Sequence, residues 1–215
     1  MVTAEGVWTE RWCASLSRRL TLDDILDVRE YERRRDEMRA AVIALKKIRR
    51  VALGELLTVV FENEETVRFQ IQELVRAERL ISDEQVQREI DDYNGLIPLK
   101  GELSATVFIE LTSSEALRKW LPELVGVERA LSIRFRTAAG DDRLVAGAPE
   151  TAHEGLLTRE EATAAVHYVK LRFSHDDIVD FATGDAVLAV DHRAYRAEAA
   201  IGGVTKEALL QDLRG

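Results

Sequence analysis

The spacing of apolar residues divides the chain into two parts. Up to about residue 100, apolar residues recur every three or four positions, which is typical of amphipathic helices. Helices are predicted over Val28–Arg50, from Glu64 to about Leu80 and over Ser82–Tyr93, with a short buried strand at Leu56–Phe61. Gly54 is predicted to end the first helix, because glycine favours the position just after a helix.

From Gly101 onward, apolar and polar residues alternate instead. This alternation predicts strands at Ala105–Leu111, Leu131–Arg136 and His167–Phe173, followed by Val187–Val190 and Tyr195–Ile201. Strands that are apolar on one side favour an antiparallel or mixed sheet that carries helices on one face. The predicted class is therefore α+β, with a helical N-terminal portion packed on a mixed, largely antiparallel sheet with interspersed helices.

Three regions follow from these patterns. Residues 1–20 read as an N-terminal extension, residues 21–100 as a helix-rich portion and residues 101–215 as an α+β portion. The last two are expected to form one continuous globular unit. The run Thr137–Leu157 is rich in Gly, Ala and Asp and is predicted to be a mobile loop, since it is longer than most structured connections.

Charge is distributed unevenly along the chain. The 215-residue protein has a formal net charge of −9, whereas Val28–Arg50 holds nine Lys and Arg against four acids. Such a local reversal favours an anion-facing or partner-facing surface over binding of nucleic acid by the whole molecule. The candidate binding residues on this helix are Arg35, Arg39, Lys46 and Arg50. The alternative is a solvated helix face whose long side chains cover apolar neighbours.

Several common chemistries lack their sequence signatures. The single cysteine, Cys13, cannot form an internal disulfide, and the four histidines do not stand at metal-ligand spacing. Phosphate-binding glycine loops and the Gly-x-Ser-x-Gly elbow do not occur. No catalytic residue, metal or cofactor is therefore predicted, and His167 is expected in the core. Without a long apolar run or a secretory signal, a cytoplasmic protein that does not enter membranes is expected.

Cations also alternate along two predicted strands. Arg134 and Arg136 would share a solvent face with Lys170 and Arg172 if their strands were neighbours. Only Tyr168 is interleaved with them, and platforms that stack single-stranded RNA usually offer more aromatic rings. We interpret these cations as an ordinary charged sheet face.

A set of short motifs resembles a known family. The motifs include Glu30-Tyr31-Glu32-Arg33, Phe61-Glu62-Asn63, Phe69-Gln70-Ile71-Gln72-Glu73, Arg76-Ala77-Glu78-Arg79, Tyr93-Asn94-Gly95-Leu96-Ile97-Pro98, Ala165-Val166-His167-Tyr168 and Val190-Asp191-His192. With them, most of the chain resembles an uncharacterised bacterial family, a domain of unknown function associated with gene neighbourhoods of rubrerythrin-like and iron–sulfur oxidoreductase proteins. The resemblance implies no known activity, but it implies a redox or oxidative-stress protein as partner.

The motifs make the helix after Asn63 unusually polar. Gln72, Glu73, Arg76 and Arg79 complete the candidate ligand- or partner-binding residues. They predict either a buried hydrogen-bond network or a ligand pocket between this helix and the Tyr93–Thr106 segment.

The function expected from these features is that of a non-catalytic binding or accessory protein. The alternative is an enzyme or regulator that binds an anionic ligand, such as a nucleotide, or nucleic acid through the basic helix. Nucleic acid is the less expected partner, because the chain as a whole is acidic. The sequence leaves the oligomeric state open.

Overall fold

The fold combines helices with a sheet, and the computed structural model describes residues 19–137, 139–150 and 162–215. The helices are α1 (Val28–Arg49), α2 (Glu64–Glu78), α3 (Asp83–Asn94), α4 (Ser114–Glu123), α5 (His175–Thr183) and α6 (Gly203–Arg214). The strands are β1 (Arg50–Leu53), β2 (Leu57–Glu62), β3 (Glu102–Ile109), β4 (Leu131–Arg136), β5 (Asp142–Pro149), β6 (Val166–Arg172), β7 (Ala186–His192) and β8 (Tyr195–Ala200). The predicted α+β class is confirmed. Within the described ranges, no helix has the length and apolar character needed to cross a membrane.

The sheet is nearly closed on itself. Its strands follow the order β1-β2-β3-β6-β5-β4-β7-β8, and every pairing in the described part is antiparallel. The first and last strands approach each other through Tyr195, whose hydroxyl donates to the Leu53 carbonyl at 2.7 Å and accepts from the Leu56 amide at 3.2 Å. Gly54 lies under this hydroxyl with φ +65, so a side chain there would be strained and would collide with Tyr195.

The main core lies inside the curved sheet. Side chains alternate between the two faces of a strand, so each strand sends one set of residues inward. Leu53, Phe61 and Ile133 are among these buried residues, and Phe181 of α5 and Leu209 of α6 pack on the same core.

His167 points into the same interior, as the sequence predicts for a core histidine. Its Nε2 lies 2.8 Å from the Thr163 hydroxyl and 2.9 Å from the Ala164 carbonyl. Burial lowers the pKa of His167.

A second, smaller core joins the helices of the N-terminal portion. It is built mainly from α2 and α3, with help from the segment that precedes α1 and from the loop after α3. Its buried residues are Leu20, Val67, Ile71, Val75, Ile90, Leu96 and Ile97. This core joins α2 to α3, and Val28 of α1 and Tyr168 of β6 pack against it.

Two local predictions are wrong. Gly54 does not end the first helix, because α1 stops at Arg49 and β1 follows, with Val51 and Leu53 buried against the rest of the sheet. The run predicted as a mobile loop contains β5, whose register is fixed by pairing with β4 and β6. Alanine and glycine give β5 little apolar periodicity, so its strand character comes from its neighbours. Residues 138 and 151–157 of that run lie outside the described residues, as do Trp8, Trp12 and Cys13.

Candidate binding surface on the basic helix

The basic helix α1 has one buried side and one exposed side. Asp27 caps its start by accepting from the backbone amides of Arg29 at 2.8 Å and Glu30 at 3.1 Å. Tyr31 and Val42 are buried, and the helix packs on α2, α6 and β2. Basic residues in the last turn complement the negative end of the helix dipole. The cations of α1 therefore fall into groups according to which neighbour they meet.

The first group is gathered around Glu73 of α2. Its carboxylate accepts from the Tyr31 hydroxyl at 2.6 Å, from Arg35 Nε at 2.7 Å and Nη2 at 2.9 Å, and from Arg76 Nε at 3.3 Å. Arg76 also lies 3.7 Å from Glu32 of α1. The two bonds from Arg35 form the planar fork that makes arginine–carboxylate pairs strong. Three of the candidate residues, Arg35, Glu73 and Arg76, are thus brought together.

The electrostatics of this cluster follow from its donors. The Arg35 hydrogen bonds are the largest cause that lowers the pKa of Glu73, to about 2, against the opposing effect of burial. Burial, followed by the bond to Glu73, raises the pKa of Tyr31. At neutral pH, Glu73 is therefore ionised and Tyr31 is neutral, and the carboxylate cross-links α1 to α2.

Gln72 has a different, structural position. Its side chain is buried, and its amide accepts from the Leu26 backbone amide and donates to the Leu26 carbonyl, both at 2.9 Å. Asn94 holds Leu20 in the same way, at 2.8 Å and 3.0 Å. The two side chains clamp the segment that leads into α1, which fixes where the basic helix begins.

Glu62 and Gln70, two further polar residues of the motifs around α2, are also bonded within the protein. Buried Glu62 accepts from the Thr106 hydroxyl at 2.5 Å and from Gln70 Nε2 at 3.1 Å. Together with Gln72, these contacts favour the buried hydrogen-bond network over a ligand pocket. The cleft beside the segment after α3 opens toward β5 and β6 instead of toward α2.

The C-terminal end of α1 contributes a second paired group. Arg49 is buried and donates to both carboxylate oxygens of Asp212 in α6, at 2.6 Å and 2.9 Å. Desolvation raises the pKa of Asp212 against the opposing effect of Arg49. The candidate residue Arg50 begins β1 and lies 3.9 Å from Glu110.

Arg39 and Lys46 form the third group, and neither makes an ion pair or side-chain hydrogen bond within the described part of the chain. The helical period places both beside exposed Ile43, which lies four residues after Arg39 and three before Lys46. Ile43 is 54% exposed and Ile48 is 37% exposed. We call this surface the α1 outer face, and its residues are Arg39, Ala40, Ile43, Ala44, Lys46, Lys47 and Ile48.

Arg79 lies apart from the other candidates. It ends α2 in a left-handed conformation, with φ 55, at the rim of an apolar cleft of about 770 Å³. Leu22, Leu80 and Ile81 are among the residues that line this cleft. The structure therefore separates Arg79 from the α1 outer face and from the Glu73 cluster.

Sequence reasoning missed two parts of this arrangement. Tyr31 reads as a core residue, although its position one turn before Arg35 puts its hydroxyl within reach of the same acceptor. The Arg49–Asp212 pair joins residues 163 positions apart. No local pattern could identify that partner, because the pair depends on how α6 returns to α1.

Comparisons with known proteins place this chain among uncharacterised relatives. No curated protein matches it. The chain is similar to a solved structure, described as a novel protein of unknown function from Burkholderia pseudomallei K96243, with a TM-score of 0.81 and 30% sequence identity over 91% of this chain and 100% of that one. Residues 19–213 match the family described as "Protein of unknown function (DUF3501)", and the chain belongs to that family.

Proposed function

We propose that this protein is a non-catalytic binding protein that docks a partner protein on the α1 outer face. The partner surface that fits is acidic and carries apolar side chains. The observation that carries the proposal is that Arg39 and Lys46, which make no ion pair in the described part of the chain, lie beside exposed Ile43. Exposed isoleucines and alanines on the outward side of a helix, with unpaired cations among them, fit a surface that another protein covers.

Nucleic acid and nucleotides fit this surface less well. A phosphate backbone is held by several free cations in a row. On α1 that row is interrupted, because Arg35 is held by Glu73 in a bidentate bond and Arg50 lies near Glu110. The exposed isoleucines would contribute nothing to phosphate recognition, whereas they would be buried in a protein interface.

Charge complementarity sets the character of the partner. Because the chain has a net charge of −9, an acidic partner is repelled at long range and attracted only by the local cations of α1. Binding should therefore combine burial of Ile43 with short-range pairing to Arg39 and Lys46. The family resemblance makes a redox protein the first partner to examine.

Site-specific photocrosslinking tests this proposal and identifies the partner in the same experiment. A benzophenone amino acid replaces Ala44 in the full chain, and the adducts formed in cells are identified by mass spectrometry. The same amino acid at Glu115, which is exposed on α4, is the matched control. We expect a discrete adduct at Ala44, with a protein of acidic surface, that does not form at Glu115.

The charge requirement is tested by reversing it. Arg39→Glu with Lys46→Glu should lower the adduct yield at least tenfold, whereas Arg118→Glu with Lys119→Glu on α4 should leave it unchanged. The proposal fails if Ala44 yields the same adducts as Glu115, or if both charge reversals lower the yield equally.

A further inference from the structure

A second surface, beside Asn94, has the features of a small-molecule site. It is a cleft of about 370 Å³ between the loop after α3 and the outer face of β5 and β6. On β6, inward-facing Val169 and Leu171 are buried, so the intervening Lys170 and the following Arg172 face outward. Two cations that read as an ordinary charged sheet face therefore line a concave site.

Small residues on the neighbouring strand create the space. Val145 of β5 is buried, whereas Ala146 and Ala148 face outward and are exposed. Ala148 pairs directly with Lys170 across the two strands. A large side chain at Ala148 would occupy the cleft, so its volume depends on this alanine.

The floor of the cleft is a charged group withdrawn from solvent. The Lys170 side chain is only 11% exposed, and its ammonium donates to Glu102 at 2.7 Å and to the Ile97 carbonyl at a long 3.4 Å. An ammonium has three donors, so Lys170 retains capacity for another acceptor. Arg172 donates to the other Glu102 oxygen at 3.2 Å, and its side chain is largely exposed.

The charges of the lining favour an anion. Three cations, Arg19, Lys170 and Arg172, stand against two carboxylates, Glu102 and Glu150. Both oxygens of Glu102 are already used by Lys170 and Arg172. An arriving oxyanion would find the remaining donors of these two cations, and guanidinium groups match carboxylates and phosphates especially well.

The volume of the cleft and its apolar wall indicate a ligand larger than an inorganic ion. A volume of about 370 Å³ falls at the lower end of small-molecule sites. Leu99, which is 54% exposed, and Pro149 give the cleft an apolar wall beside the cations. We propose that this cleft binds a small organic anion, with a carboxylate or phosphate head on Lys170 and Arg172 and an apolar body against Leu99 and Pro149.

Calorimetric titration with simple probes tests the site. The probes are benzoate, phenyl phosphate, inorganic phosphate and the cation benzylamine, each added to the full chain. We expect phenyl phosphate or benzoate to bind at least tenfold more tightly than inorganic phosphate, and benzylamine not to bind. The tighter of the two aromatic anions identifies the head group.

Three variants locate the binding. Ala148→Leu fills the cleft without changing charge, and Arg172→Gln removes a cation at an exposed position. Each variant should lower the affinity for the aromatic anion at least tenfold. Arg134→Gln removes a cation from the outer face of β4 and should have no effect. Failure of both aromatic anions to bind, unchanged binding in Ala148→Leu, or an equal loss in Arg134→Gln would overturn the proposal. Reversal of Arg39 and Lys46 should leave this binding unchanged, so the site stands or falls separately from the α1 outer face.

Discussion

Arg35 and Arg39 lie one turn apart on the same helix, yet they have opposite fates. Arg35 meets Glu73 of α2 and is held by two hydrogen bonds, at 2.7 Å and 2.9 Å. Arg39 makes no ion pair among the described residues and lies beside exposed Ile43. Arg49, nearer the C-terminal end, is buried against Asp212. The comparison teaches that the elements packed against a basic helix, more than the composition of the helix, decide which of its cations are free to bind another molecule.

The largest effect is expected where α1 is most deeply paired. Asp212→Ala leaves the buried Arg49 guanidinium without its carboxylate and should lower the free energy of unfolding by about 3 kcal/mol. Chemical denaturation followed by circular dichroism measures this change. Glu207→Ala, at an exposed position of α6, is the control and should change the stability by less than about 0.5 kcal/mol. Equal effects of the two variants would show that the Arg49–Asp212 pair is not important for the docking of α6 on α1.

The half-buried cluster should rank second. Glu73→Gln keeps the shape of the side chain but removes the charge that Arg35 and Arg76 share, and we expect a loss of about 2 kcal/mol. The same denaturation assay applies, with Glu78→Gln as the control because Glu78 is exposed on the same helix. If Glu73→Gln lowers the free energy of unfolding no more than Glu78→Gln does, Arg35 is not held by Glu73 and belongs with Arg39 among the unpaired cations.

The dependence of stability on acidic pH isolates the contribution of Glu73 from that of other groups. The pKa of Glu73 is lowered from 4.5 to about 2, so its stabilising contribution is complete above pH 4.5 and is lost as the pH falls toward 2. The stability difference between the unchanged protein and Glu73→Gln should be constant near neutral pH and shrink below pH 4.5. This subtraction cancels other groups, such as His167, whose pKa is lowered by burial. A difference that does not change between pH 5 and pH 3 would contradict the charge-based account.

The smallest effect is expected on the α1 outer face. Arg39→Ala combined with Lys46→Ala removes cations that have no internal partner among the described residues, so the free energy of unfolding should change by less than about 0.5 kcal/mol. The thermal midpoint of the double variant provides the measurement. A loss of about 2 kcal/mol or more would mean that these side chains stabilise the fold itself.

The local features of the fold could be predicted, because they depend on near neighbours in the chain. The starts of α2 and α3 and the alternation of β4 and β6 are found where the sequence places them, within one residue for the two helices. The near closure of the sheet could not be predicted, since it depends on the contact of Tyr195 with the β1–β2 turn across about 140 residues. The same limit applies to β5, which is held mainly by its partners.

The candidate site is partly predictable for the same reason. Helical spacing places Arg39 and Lys46 on one flank, which is where the structure has them. That spacing contains no information about the ion pair between Arg35 and Glu73, because the pair depends on how α2 packs against α1. The cleft at Lys170 could not be predicted, since the small residues that open it belong to a strand whose sequence resembles a loop.

The most direct test of the central claim is the yield of the photocrosslinked adduct at Ala44. It is measured in three proteins: the unchanged chain, Arg39→Glu with Lys46→Glu, and Arg118→Glu with Lys119→Glu. If the α1 outer face docks an acidic partner, the first reversal lowers the yield at least tenfold and the second leaves it unchanged. Equal yields in all three proteins would contradict the account.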